Sequence, residues 1–161
     1  MTQAEQCAQL IADHDQIVVL TGAGISTNAG IPDFRGPKGL YVTKQYDANT
    51  VFDLESFLEN PAPFYEFARD FSQIVKIAKP TFTHSFLVDL EKKRKQICVI
   101  TQNIDTLHQK AGSQNVVEIH GSIAKSKCLD CGKIYSFEDM QNKLENEDVP
   151  KCDICRGGIK P

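Results

Sequence analysis

The sequence predicts an α/β fold: a parallel sheet of βαβ units followed by a small cysteine-bearing module. Three observations predict it. Short apolar runs at residues 17–20, 97–100 and 116–119 are of the kind buried within a parallel sheet, and segments of helical periodicity separate them. The glycine-rich stretch TGAGISTNAGIPDFRGP, residues 21–37, begins where the first run ends. Two Cys-x-x-Cys pairs, Cys128 with Cys131 and Cys152 with Cys155, lie near the end of the chain.

A chain of 161 residues with 41% hydrophobic content can bury one sizeable core. Eighteen Lys and Arg against twenty-one Asp and Glu give a formal charge of -3, so no global basic field points to nucleic acid or an anionic membrane surface. The basic run at residues 91–95 reads as the solvated last turn of a helix. No apolar run approaches the roughly 20 residues of a membrane span, and the N-terminus lacks a basic-then-apolar signal region. A cytoplasmic location is therefore expected, and in that reducing compartment paired Cys-x-x-Cys motifs favour metal over disulfides.

In chain order, residues 2–14 read as a helix in which Thr2 and Glu5 form a capping box and Ala4, Cys7, Ala8 and Ile11 share an apolar, core-facing side. The strand at 17–20 then enters a tight turn and a helix start. Gly22 and Gly24 let that backbone approach a ligand without Cβ interference, and the N–H groups with the helix end suit a pyrophosphate. Residues 38–50 lack periodicity and read as a long loop beside the turn. Asp53 caps a short helix, Pro61 opens the next, and Phe64, Phe67, Ala68, Phe71, Ile74 and Val75 form an apolar stripe on it. A helix over residues 83–93 is expected to bury Phe86, Leu87 and Leu90, with Cys98 a small apolar residue of the following strand. Asp105 would cap a short helix closed by Gly112, and the third strand delivers His120 at its end.

Ligands of parallel sheets sit outside the carboxyl ends of the strands. Gly22 and Gly24, the run from Gln102 to Asp105, and His120 with Gly121 each follow one of the three strands, so they are expected to converge on one cleft. Gly22-x-Gly24 does not complete the ordinary dinucleotide fingerprint, because Thr27 stands in the third glycine's place, which disfavours a plain dehydrogenase. The continuation from Gly30 through Pro32, Asp33, Phe34, Arg35 and Gly36 sets an acid, an aromatic ring and a guanidinium in one loop. His120 suits proton abstraction from a sugar hydroxyl, or else is a satisfied structural group; Asn103 and Asp105 also read as turn former and N-cap. An Asp105 cap could still present a free oxygen to a ligand. His14, His84 and His108 read as surface or packing residues.

Twenty residues separate the two Cys-x-x-Cys pairs, a spacing suited to one tetrahedral Zn²⁺ held by Cys128, Cys131, Cys152 and Cys155. Four thiolates leave no open position, so the ion is expected to be structural. Between the pairs a short strand and a polar helix are expected, a zinc-ribbon-like arrangement.

GAGIS, GIPDFRG, TQNID, HG and the paired Cys-x-x-Cys, in this order, resemble the sirtuin family of NAD-dependent protein deacylases, most closely its bacterial protein-lysine deacetylases. The resemblance covers essentially the whole chain. It implies a Rossmann-like portion over residues 1–121, with a helical insertion at about 38–80, and a zinc-binding module over 122–161. NAD and an acetyl-lysine protein or peptide would meet between them. In the family the acyl oxygen attacks the nicotinamide-bearing ribose carbon, nicotinamide leaves, a general base activates a ribose hydroxyl, and the acyl group ends on ADP-ribose. Carried over, His120 is that base, and Asn103 and Asp105 address ribose and nicotinamide. Gly22, Ala23, Gly24, Ser26, Pro32, Asp33, Phe34, Arg35 and Gln102 line the NAD site. Members that prefer acidic acyl groups carry a Tyr-x-x-Arg pair where Ala68 and Phe71 stand here, so acetyl is favoured, with Arg69 close by as a rival cation. Relatives continue past the segment resembling residues 158–161 into strands that complete the sheet and hold adenosine. The sheet is accordingly expected to be incomplete on its C-terminal side, with activity impaired and self-association through the open sheet. Mono-ADP-ribosyl transfer to protein and a non-catalytic zinc-stabilised fragment are the competing readings.

Overall fold

The computed structural model describes residues 1–33, 36, 39, 46–93 and 95–160. Strands β1 (Gln16–Thr21), β2 (Gln96–Thr101) and β3 (Val116–Glu118) form a parallel sheet in that order. Gln16 stands opposite Gln96, Thr21 opposite Thr101, and Thr101 opposite Glu118, so the three carboxyl ends finish level. The expected βαβ arrangement is present, and this register aligns the three strand-end motifs along one edge.

Helix α1 (Gln3–Asp13) begins with the expected capping box: Glu5 N–H donates to Thr2 Oγ1 at 3.2 Å, and Thr2 N–H to Glu5 Oε2 at 2.7 Å. It buries no residue, and Cys7, expected in the core, is exposed. Only Ile11 of the apolar side packs on the sheet's cluster, so the helix meets the sheet near its C-terminal turn.

Helices α2 (Ala48–Val51), α3 (Leu54–Glu59), α4 (Ala62–Ile77) and α5 (Phe82–Lys92) lie between β1 and β2. Asp53 caps α3 by accepting from Ser56 N–H at 2.8 Å, and Pro61 precedes α4, where its missing N–H costs nothing. On α5, Leu87, Val88 and Leu90 are buried with His84, but Phe86 is exposed and stacks on Phe82. The buried arc of that helix runs through His84, Leu87 and Val88, which turns Phe86 to the outer side.

After α6 (Leu107–Ala111) and β3, a second sheet of β4 (Lys125–Cys128), β5 (Ile134–Ser136) and β6 (Ile159–Lys160) is antiparallel in the order β5-β4-β6, with α7 (Phe137–Asn146) following β5. Its core is not its own. One cluster joins Phe57, Phe64, Tyr65, Phe67 and Phe71 with Tyr135, Met140, Leu144 and Ile159. The Tyr65 hydroxyl donates to Ile159 O at 2.9 Å and accepts from Ile159 N–H at 3.1 Å, and the Arg69 guanidinium donates to the carbonyls of Leu144, Glu147 and Asp148. A smaller cluster of Leu87, Leu90, Ile97 and Val99 covers one face of the parallel sheet. On the other face Val18 and Leu20 are 69% and 68% exposed.

Candidate active site and metal centre

A cleft of about 700 Å³ opens at the carboxyl ends of the parallel strands, a volume in the range of ligand sites. Ala23, Gly24, Ser26, Pro32 and Asp33 line it from the first motif, Gln102, Asn103 and Asp105 from the second, and His120 from the third. The three motifs converge as their strand positions require. Gly22 lies just behind, its carbonyl accepting from Asn103 Nδ2 at 3.1 Å. Phe34 and Arg35 lie outside the described residues.

The glycine turn departs from expectation. Instead of an α-helix start it makes two single turns of 3-10 helix, Ala23–Ile25 and Thr27–Ala29, ended by Gly30 at φ 85°. Ile25 and Ser26 N–H groups are used inside the first turn, so the positive end of a long helix is not available there. Side chains brace the turn instead. Ser26 Oγ donates to Asp105 Oδ2 at 2.6 Å, and Asn103 Nδ2 also reaches Ser26 Oγ at 3.2 Å. Asp105 Oδ1 accepts from Leu107 N–H at 2.9 Å, so it supports α6 although Thr106 holds the formal cap position. Both Asp105 oxygens therefore have donors, and the residue is 3% exposed at the wall of the cleft.

His120 is exposed to the cleft, and its Nδ1 lies 3.1 Å from Gln102 O. A carbonyl only accepts, so Nδ1 carries a proton, and in the neutral imidazole Nε2 presents the lone pair. That is the tautomer a general base needs.

Behind the cleft two histidines that the sequence marked only as surface or packing residues form a buried pair, rings 4.6 Å apart. His108 Nε2 meets Thr21 Oγ1 at 3.0 Å, while His84 Nδ1 accepts from Thr81 N–H at 3.2 Å. Thr81 Oγ1 donates to Ile25 O at 3.1 Å, which ties α5 to the glycine turn. Burial holds the His108 imidazole down to about 4, the nearby His84 acts in the same direction, and Asp105 opposes both. Burial lowers His84 as well.

The four cysteine sulfurs lie within 4.8 Å of one another, with Cys128 and Cys152 buried and Cys131 and Cys155 exposed. Cys128 and Cys155 sulfurs are 3.4 Å apart, and those of Cys131 and Cys152 3.5 Å. Soft sulfur donors in a compact four-fold cluster fit one structural zinc ion. Two similar turns present them. Gly132 N–H donates to Cys128 O in one and Arg156 N–H to Cys152 O in the other, with Gly132 at φ 75° and Arg156 at φ 65°. A hydrogen bond from the Tyr135 hydroxyl, aided by the Cys155 and Ile154 backbone N–H groups, lowers the Cys152 thiol to about 6 against the cost of burial.

The Sir2 family profile matches residues 22–161. The chain belongs to the Sir2 family. It is 51% identical over 144 residues to an NAD-dependent protein deacetylase of Thermotoga maritima, covering 89% of this chain and 57% of that one. A protein of the same name from Clostridium tetani is 42% identical, covering 100% of this chain and 65% of its own. A solved Sir2–p53 peptide–NAD+ complex superposes with a TM-score of 0.86 at 44% identity over 99% of this chain and 63% of that one. A Sir2 bound to an acetylated peptide gives 0.84 at 41% identity, over 99% of this chain and 63% of that one. The chain thus spans less than two thirds of the length of these Sir2 relatives.

Proposed function

We propose that this chain carries the cofactor-cleaving site of an NAD-dependent protein-lysine deacetylase, acting on acetyl-lysine proteins or peptides in the cytoplasm. The observation that carries it is the convergence of the three strand-end motifs on one cleft, with His120 Nε2 free to accept a proton. Residues 1–121 form the nucleotide-binding portion and 122–161 the metal module in this reading. NAD, when bound, supplies an electrophilic ribose carbon with nicotinamide as leaving group. Gly22, Ala23, Gly24, Ser26, Pro32, Asp33, Phe34, Arg35 and Gln102 are assigned to its binding. His120 takes the proton of a ribose hydroxyl, with Gln102 O holding the imidazole in the required tautomer. Asn103 addresses the ribose, and Asp105 holds Ser26 and Leu107 in place at the nicotinamide end.

A neutral acyl group suits this cleft. Phe71 lines it, Arg69 is engaged with carbonyls at the end of α7, and the acidic side chains among the described lining residues are Asp33 and Asp105. Two carboxylates and no Lys or Arg among the described lining residues disfavour an acidic acyl chain.

Nicotinamide release from NAD, with and without an acetyl-lysine peptide, tests the reading. Peptide-dependent release is expected, and His120→Ala should abolish it while leaving zinc content unchanged. Label transfer from NAD to protein would support ADP-ribosylation instead, and a folded, zinc-loaded chain releasing no nicotinamide would remove both enzymatic readings for these 161 residues.

A further inference from the structure

The metal centre has a contact that four thiolates do not require. Tyr135, on β5, is 2% exposed, and its hydroxyl lies between the backbone of Asp153 and the sulfur of Cys152. It accepts from Asp153 N–H at 3.0 Å and stands 3.2 Å from Cys152 Sγ. Accepting from that N–H orients the hydroxyl, and its single hydrogen is left for the sulfur.

The ring is caged as well. Lys133 Nζ lies 4.7 Å from its centroid and Lys143 Nζ 5.8 Å. Both ammonium groups pair with the Asp153 carboxylate, at 3.0 and 2.6 Å, and Lys143 also reaches Glu147 at 3.0 Å. The residue that follows Cys152 is thereby tied to the tyrosine that touches Cys152.

We propose that Tyr135 is a positioning residue for the metal: its O–H donates to the Cys152 thiolate, fixes that sulfur's orientation and offsets part of its charge. The inference rests on the zinc reading of the cysteine tetrad.

Cobalt(II), loaded into the full chain in place of zinc, provides the probe. Its d–d bands report tetrahedral coordination, and the thiolate-to-cobalt charge-transfer band reports electron density on sulfur. Tyr135→Phe keeps the ring and removes the hydroxyl. The d–d bands are expected to stay, the charge-transfer band to move to lower energy, and zinc affinity in a chelator competition to fall roughly 10-fold. Asp153→Asn weakens the lysine cage and keeps the hydroxyl, so its charge-transfer band should match the wild type. Fluorotyrosine placed at position 135 keeps the packing with a stronger donor and should move the band to higher energy, which decides the matter if the Phe variant does not fold. A wild-type band and affinity in Tyr135→Phe overturn the inference, as does a shift of equal size in Asp153→Asn or an unmoved band with fluorotyrosine. A wild-type chain that binds no metal overturns the zinc reading instead.

Discussion

The helices of residues 48–77 and the cysteine module share one core, whereas the parallel sheet keeps a smaller core of its own and leaves Val18 and Leu20 on an uncovered face. The first region is joined by aromatic packing, by Tyr65 on both backbone groups of Ile159, and by Arg69 on the end of α7. The second is joined mainly by its strand ladder and by the polar braces beneath the cleft. A structural ion can therefore stabilise helices far from it in sequence, because α4 is one wall of the metal module's core and, through Phe71, one wall of the cleft.

Metal removal is the strongest way to break this contrast. Zinc binding at such tetrads is worth about 10–16 kcal/mol in small zinc peptides, so Cys152→Ser or chelation should unfold the module. Hydrogen exchange is expected to lose protection over residues 125–160 and over α4 together, while β2 amides stay protected. If the module alone lost protection and α4 kept it, the shared core would not be a cooperative unit.

Much of this was legible in the sequence, for reasons local to particular residues. The caps at Thr2 and Asp53, the three apolar strands and the cysteine spacing are short-range signals, and the convergence of Gly24, Asn103 and His120 follows from strand topology. What was not legible depends on side chains meeting across long separations. Nothing near Tyr135 marks Cys152 as its partner, nothing near Arg69 marks the carbonyls at the end of α7, and His84 and His108 look alike as helix residues until the fold brings their rings together. Cys7 and Phe86 failed for another reason: periodicity identifies an apolar side, but which arc faces the core is set by docking.

Acid should weaken the sheet side through the histidine pair. Above pH 6.5, the ordinary histidine value, both folded and unfolded chains hold His108 neutral, and its contribution is fully present. As pH falls below that value the unfolded chain binds a proton that the folded one refuses, until the folded imidazole titrates at about 4. By then about 3 kcal/mol should be lost. NMR titration of the His108 ring checks this directly, and a midpoint near 6.5 would remove the effect.

A smaller change separates the two metal-binding turns. Gly132 meets its left-handed conformation without cost, while Arg156 does so with a Cβ, at φ 65°. Arg156→Gly should stabilise the zinc-loaded chain by about 1 kcal/mol in denaturant unfolding. The gain is expected to vanish once zinc is removed, since the turn is then no longer held.

The smallest expected effect lies on the uncovered sheet face. Val18 and Leu20 project from β1 with more than two thirds of their surface exposed, so replacing either removes little buried apolar area. Val18→Ser with Leu20→Ser should change stability by about 0.5 kcal/mol or less, in contrast to the several kcal/mol of a core aromatic such as Phe67. Their effect should appear in association instead, because contiguous exposed apolar side chains beside an edge strand favour self-contact. Light scattering over a concentration series is expected to show the wild-type chain associating and the double variant remaining monomeric. Equal association by both would mean that another surface, such as the stacked Phe82 and Phe86 on α5, carries the contact.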